Sequence, residues 1–280
     1  MSNVQLKTPI NYYGGKQQLV PKLLHLIPEH SVYTECFFGG GALFFAKEPV
    51  RVEAINDINK QVVNFYKVAK RQFESLHDEI DCTLFAEQQY QEARSIYKDS
   101  EMNQTDVLRA WALFVLSHQT FLSNLMGSWK FSHSRNLANT FQNKKDMFNT
   151  RYVKRLESTQ IFCRDANKML VNMDCPEAFH FVDPPYVNTV CGHYEGYTEN
   201  NYEELLTTLS QLEGKFMLTS FKTELLEEYR IKNGWHQIQI TMPSGAKTSN
   251  KITGEASKKT EVITTNYPFT EEQIATILGK

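Results

Sequence analysis

Seven short apolar runs, set in two blocks on either side of residues 73 to 158, constrain the fold of this chain more than any other feature of its sequence. The first block holds residues 32–35 and 52–55; the second holds 160–163, 178–182, 215–219, 235–240 and 261–265. Each run has strand length and turn residues at its ends. Stretches with helical periodicity separate them, near 16–27, 42–47, 59–72, 201–212 and 222–233, the last closed by Gly234 as a C-cap. Such alternation predicts an α/β fold, a mostly parallel sheet covered by helices. Between the blocks the pattern changes: 84–97 and 106–122 carry helical periodicity, and the polar stretch 123–132 reads as a turn or hairpin. A mostly helical insertion inside an interrupted sheet is therefore expected, with the Lys-, Ser- and Gly-rich stretch 244–259 as a hairpin loop.

At 280 residues, 41% of them hydrophobic, the chain can bury a full core as one domain with a large insertion or as two domains. No apolar run approaches the roughly 18 residues of a membrane span, and the first residues lack a signal peptide's apolar core. The five cysteines (Cys36, Cys82, Cys163, Cys175, Cys191) form no C-x-x-C pair and the histidines have no ligand spacing, so no metal is expected. A reducing cytoplasm, of a bacterium or of a phage-infected cell, fits best. The net charge of −2 hides an asymmetry, since residues 118 to 155 hold seven basic side chains (Lys130, Arg135, Lys144, Lys145, Arg151, Lys154, Arg155) against one acid, Asp146. A nucleic-acid footprint has that distribution.

The chemistry concentrates where the strand at 178–182 ends, in Asp183-Pro184-Pro185-Tyr186. Chance would give this tetrapeptide in about one such chain in a thousand, although a plain Pro-rich turn after a core strand is the alternative. Carboxyl ends of strands are where open α/β sheets bind ligands. An acid, two prolines and an aromatic ring suit methyl transfer to the exocyclic amine of a nucleobase. That nitrogen's lone pair is delocalised into the ring, and holding both amine hydrogens localises it. Asp183 supplies one acceptor and the Pro184 carbonyl a second, neither proline adds a competing N–H, and Tyr186 can stack on the base. Transfer from an already activated methyl donor needs alignment more than a metal or strong base.

A second motif, Glu35-Cys36-Phe37-Phe38-Gly39-Gly40-Gly41, is a strand end followed by three glycines and a helical run. Glycines there let backbone approach a ligand closely, although such turns also serve plain strand-to-helix packing. Asp57 ends the next strand, 22 residues after Glu35, about where nucleotide-binding βαβ units place an acid on a ribose diol. The loop lacks the G-x-G-x-x-G that a pyrophosphate wants, so a nucleoside without phosphates fits better. S-adenosylmethionine is such a ligand: Asp57 would take its ribose, the glycine loop would face its methionine portion, and Glu35 would stand near its ammonium.

Taken in order, Tyr13-Gly14-Gly15-Lys16, Phe37-Phe38-Gly39-Gly40-Gly41, Asp57-Ile58-Asn59 and Asp183-Pro184-Pro185-Tyr186 resemble the Dam-type N6-adenine DNA methyltransferases, over most of residues 7–70 and 159–270. The resemblance implies a Rossmann-like, S-adenosylmethionine-dependent methyltransferase domain of residues 1–72 and 159–280, with 73–158 as an inserted target-recognition domain. It implies duplex DNA as partner and a flipped adenine as substrate, and it leaves a place for a cognate restriction endonuclease. Tyr13, Gly14, Gly15 and Lys16 would border the donor's methionine end, with Lys16 toward its carboxylate; Phe37, Gly39 and Gly41 would line the donor loop; Asp165 would stand near the donor's adenine, and Asp183 at the junction with the base. Cys36 departs from the family's usual proline and removes no chemical group.

Within the insertion, Lys130, Arg135, Asn139, Lys144 and Lys145 are the candidate DNA contacts, the lysines at 144 and 145 for phosphate and the others for base edges. For any one of them a solvated surface role is the simpler reading. Tyr194 and Tyr197 are candidates to cap the pocket. Three rival functions remain from sequence: N4-cytosine methylation, RNA adenine methylation, and a catalytically silent DNA-binding subunit.

Overall fold

A computed structural model describes residues 6–99, 101–121, 124–187, 197–243 and 258–279. It contains a seven-stranded sheet: β1 (Val32–Glu35), β2 (Val52–Asn56), β3 (Thr159–Phe162), β4 (Ala178–Val182), β5 (Lys215–Ser220), β6 (His236–Pro243) and β7 (Lys258–Thr265). Their spatial order is β3-β2-β1-β4-β5-β7-β6, with β7 antiparallel to both its neighbours and the remaining pairs parallel. The central strands β1 and β4 are buried at every position, as strands covered on both faces must be.

This order places the site. From β1 the chain runs outward to β2 and β3, then returns to the far side of β1 to lay down β4 and β5. The direction of winding reverses between β1 and β4, and the carboxyl ends of strands at such a reversal flank a crevice. Glu35 ends β1 and Asp183 follows β4, so both motifs open onto that crevice.

Twelve helices lie among the described residues: α1 (Val20–Leu24), α2 (Ala42–Ala46), α3 (Lys60–Arg71), α4 (Phe73–Asp81), α5 (Glu87–Lys98), α6 (Asp106–Gln119), α7 (Leu137–Met147), α8 (Thr150–Leu156), α9 (Ala166–Met173), α10 (Glu199–Leu209), α11 (Glu224–Asn233) and α12 (Glu271–Leu278). The helix expected over 16–27 shrinks to α1, because Pro21 is tolerated only in a first turn. The helix expected over 106–122 stops at Gln119, where Thr120 turns extended and bridges Trp129 across the expected hairpin. Helices α4, α7, α8, α9 and α12, each of seven to eleven residues, go beyond what the sequence reading expected. The 244–259 loop lies almost wholly outside the described residues, as do Ser123 and Tyr194.

Helices α4 to α8 occupy residues 73 to 156, and they share their core with the sheet. Trp111, Phe114, Phe141 and Phe148 belong to one buried cluster with Leu43, Phe65 and Phe179. At its edge, Glu53 of β2 receives both Lys47 and the guanidinium of Arg155 from α8, which also donates to the Phe44 carbonyl. Arg155 therefore ties the inserted helices to the sheet.

Candidate active site

Asp183 stands at the centre of a buried polar network. Lys16 Nζ lies 2.7 Å from Asp183 Oδ1 and 2.8 Å from Oδ2, and also donates to the Gly14 carbonyl at 2.8 Å. The register of β4 against β5 pairs Val182 with Leu218, which brings Thr219 beside Asp183, and its hydroxyl donates to Oδ1 at 2.7 Å. Burial pushes the Asp183 carboxyl up from its ordinary range, Lys16 and Thr219 pull it back, and Glu261 adds a further push upward. Sequence alone gave no reason for a raised value. Tyr186 donates its hydroxyl to Glu261 Oε2 at 2.8 Å, and its ring meets Phe221 edge-on at 4.5 Å.

Across the crevice the glycine loop is held by acids. Asp57 accepts the Gly39 N–H on one oxygen and the Asn59 N–H on the other, each at 2.8 Å. Burial lifts its carboxyl to about 6, those two N–H groups holding it down. Gly41 caps α2 at φ +65°, where a Cβ would stand 2.3 Å from the Phe38 ring, so the turn needs glycine for both conformation and space. Glu35, 2% exposed, accepts Tyr33 OH at 2.6 Å and the Phe44 N–H at 2.7 Å, and burial raises its carboxyl to about 8. Asn56, which sequence reading passed over, clips three strand ends: its Nδ2 donates to the carbonyls of Cys36 and Arg164, and its Oδ1 accepts the Arg164 N–H. Asp165 caps α9 by accepting the Lys168 N–H.

A cavity of about 680 Å³ joins the two halves, within the size range of small-molecule sites. Its walls bring together Tyr13, Lys16, Glu35, Phe37, Gly39, Gly41, Asp57, Asp165, Asp183, Pro185 and Tyr197. Gly14, Pro184 and Tyr186 are not part of the wall; Gly14 reaches it through the Lys16 ammonium, and Tyr186 lies against the same lysine, 4.9 Å from ring centre to Nζ.

The model of the D12 class N6 adenine-specific DNA methyltransferases matches residues 12–242. The chain belongs to that family. This D12 methyltransferase is thus an enzyme that methylates adenine in DNA. It is 26% identical to the type II methyltransferase M1.LlaDCHI of Lactococcus lactis subsp. cremoris, over 95% of this chain and 97% of that protein. It is 26% identical to M.MjaIII of Methanocaldococcus jannaschii over 65% of this chain and 70% of that one, and 23% identical to M.FokI of Planomicrobium okeanokoites over 95% of this chain and 44% of that one.

In the D12 methyltransferase the candidate DNA-facing residues divide. Arg135 and Asn139 are exposed, at the start of α7; Lys130 and Lys144 are half-buried, and burial lowers both ammonium groups, helped by the charge of Lys144 at Lys130 and of Lys7 at Lys144. Lys145 corrects the expectation: it is 7% exposed and donates to the carbonyls of Asp81 and Thr83, closing the end of α4 rather than facing solvent. Arg155, counted in the basic excess, is likewise turned inward onto Glu53. The local excess of +6 read from sequence therefore overstates the charge available to DNA. Thr219 and Glu261 were missed because each becomes a neighbour of Asp183 only through strand pairing. No helix among the described residues is long and apolar enough to cross a membrane, and no group of three potential ligands gathers there for a metal.

Proposed function

We propose that this enzyme binds S-adenosylmethionine in the crevice cavity and methylates an adenine flipped out of duplex DNA, with residues 73–158 as the part that recognises the target. The observation that carries this is that one cavity brings Asp57, Glu35, Asp165 and Asp183 together in its wall. The donor set suits a nucleoside carrying an amino acid: Asp57 can take ribose hydroxyls on lone pairs left over from two backbone N–H groups, Glu35 lies where an ammonium would be received, and Asp165 is exposed at the cavity wall. Bound there, the donor supplies a sulfonium methyl that needs no metal to activate it.

The chain's own work is orientation. Asp183 and the Pro184 carbonyl hold the two amine hydrogens, which turns the nitrogen lone pair out of the base plane, and Tyr186 stacks on the base. The donor would supply the methyl group, its sulfur keeping the electron pair of the broken bond, and the proton that the amine sheds after transfer would pass to solvent. Alignment and a preorganised acceptor supply the rate. Family membership and type II relatives support DNA as the substrate, and a restriction endonuclease acting on the same sequence is the partner such relatives suggest. The reaction belongs where cellular or phage DNA is found, in the cytoplasm of a bacterium.

Two tests address the two halves. Asp57→Ala should weaken S-adenosylmethionine by about 1 to 3 kcal/mol, the cost of leaving bonded hydroxyls unpaired. Titration calorimetry on the free enzyme measures it, and unchanged affinity would confine Asp57 to holding the glycine loop. On the DNA side, Lys144→Ala should weaken all duplexes alike and reduce the salt slope by about one unit. Arg135→Ala should instead cost about 1 to 3 kcal/mol on the cognate site and little on random DNA. Competition binding at two salt concentrations separates the outcomes, and indifference of both variants would move recognition away from α7.

A further inference from the structure

Lys16 and Thr219 already take most of the acceptor sites of Asp183, so an incoming adenine amine competes with the Lys16 ammonium for them. The ammonium sits 2.7 and 2.8 Å from the two carboxylate oxygens in the resting enzyme, and the Lys16 side chain is buried. Stripping a buried ammonium of its counter-ion is strongly disfavoured, so displacement needs another acceptor close by. Glu261 is that acceptor. Its Oε2 stands 3.9 Å from the same Nζ and 2.8 Å from the Tyr186 hydroxyl, and the residue is 2% exposed. A movement of about 1 Å would bring the ammonium within charge-assisted hydrogen-bond range of Glu261.

The sheet explains why a residue 78 positions after Asp183 is there. Strand β7 runs antiparallel to β5 with Val262 opposite Ser220, which ends β5. Glu261, one residue before Val262, therefore lies beyond the carboxyl end of β5, on the same edge as Asp183 and Thr219. Two carboxylates, Glu261 buried and Asp183 half-buried, then share a site with the buried Lys16, and the Tyr186 ring lies over the lysine at 4.9 Å.

We propose that Glu261 is a positioning residue: it takes over the Lys16 ammonium when the target amine displaces it from Asp183, and through the Tyr186 hydroxyl it fixes the ring that stacks on the base. The inference rests on the reading of Asp183 as acceptor of the adenine amine. It makes Lys16 a cation shared between a resting and a substrate-bound arrangement. The push that Glu261 exerts on the Asp183 carboxyl agrees with their closeness.

The test compares Glu261→Gln, Tyr186→Phe, the double variant and Asp183→Asn in full-length enzyme, measuring methylation of a duplex against pH, S-adenosylmethionine affinity and Tm. Glutamine keeps an acceptor for Tyr186 but cannot hold the ammonium as a charge. Glu261→Gln should lower kcat/KM for DNA by about tenfold or more, with donor affinity and Tm unchanged. Its acid limb should move to lower pH, because the negative charge that raises Asp183 is gone. Wild-type kcat/KM in Glu261→Gln would overturn the proposal. So would a loss matched by equal losses in donor affinity and Tm, which marks a purely structural residue. Equal effects of Glu261→Gln and Tyr186→Phe with no further loss in the double variant would also overturn it, since Glu261 would then act through the tyrosine alone. Full activity of Asp183→Asn would sink the underlying reading of Asp183, whatever Glu261 does, and so separates the two failures.

Discussion

Asp183→Ala is expected to lower turnover on duplex DNA by at least about two orders of magnitude, the scale seen when a preorganised polar group is removed from a reaction centre. Donor affinity should stay nearly unchanged, because the lost interaction is made to the target base and strengthens as the amine becomes a nucleophile. One consequence complicates the alanine variant. It leaves the buried Lys16 ammonium without its main counter-ion, and breaking a buried pair destabilises proteins. Asp183→Asn retains shape and one acceptor oxygen, yet it offers Lys16 no charge and presents N–H donors to an amine that needs acceptors. Both variants should therefore be slow, with the asparagine form keeping more of the wild-type Tm. Single-turnover methylation with enzyme in excess checks this directly. A rate near wild type in either folded variant would remove Asp183 from the chemistry.

How much of this site could be read beforehand depends on how local each signal is. The strand at Ala178–Val182 and its following tetrapeptide, the strand at Val32–Glu35 with its glycine turn, and the acid after β2 are each contiguous in sequence, and the cavity brings the three together. Boundaries slipped where a polar residue still pairs: β7 begins at Lys258, three residues before its apolar run, because the ladder with β6 extends to Pro243. What sequence could not give is what pairing alone creates. Thr219 is an unremarkable strand residue until β5 registers against β4, and Glu261 an ordinary acid until β7 enters antiparallel beside β5. Charge counting failed for a related reason. Lys145 and Arg155 look like surface cations in a basic segment, but carbonyls at the end of α4 and the Glu53 carboxylate draw them inward.

Glu35→Gln is expected to move stability and donor binding in opposite directions. The Glu35 carboxyl is raised to about 8 by burial, with the Tyr33 and Phe44 hydrogen bonds opposing and Asp183 adding to the rise. In the free enzyme at pH 7 it is therefore mostly protonated, while in the unfolded chain it titrates near its ordinary value. A folded state that holds the extra proton loses stability as pH rises from the unfolded value toward 8, at up to about 1.4 kcal/mol per pH unit. Glutamine fills the same space, can accept from Tyr33 and Phe44, and carries no such penalty. The Glu35→Gln protein should match wild type in Tm near pH 5 and exceed it increasingly toward pH 8. Donor binding should behave in the reverse way. An ammonium placed beside Glu35 ionises it, so S-adenosylmethionine should release close to one proton on binding at pH 7, and its affinity should climb as pH approaches 8. Losing that buried charge partner should cost about 2 kcal/mol or more. Calorimetry in two buffers of different ionisation enthalpy counts the proton, and thermal melts across pH give the stability curve. Donor binding without proton release, at equal affinity in both proteins, would place the donor's ammonium away from Glu35 and leave this carboxyl a buried cap on α2.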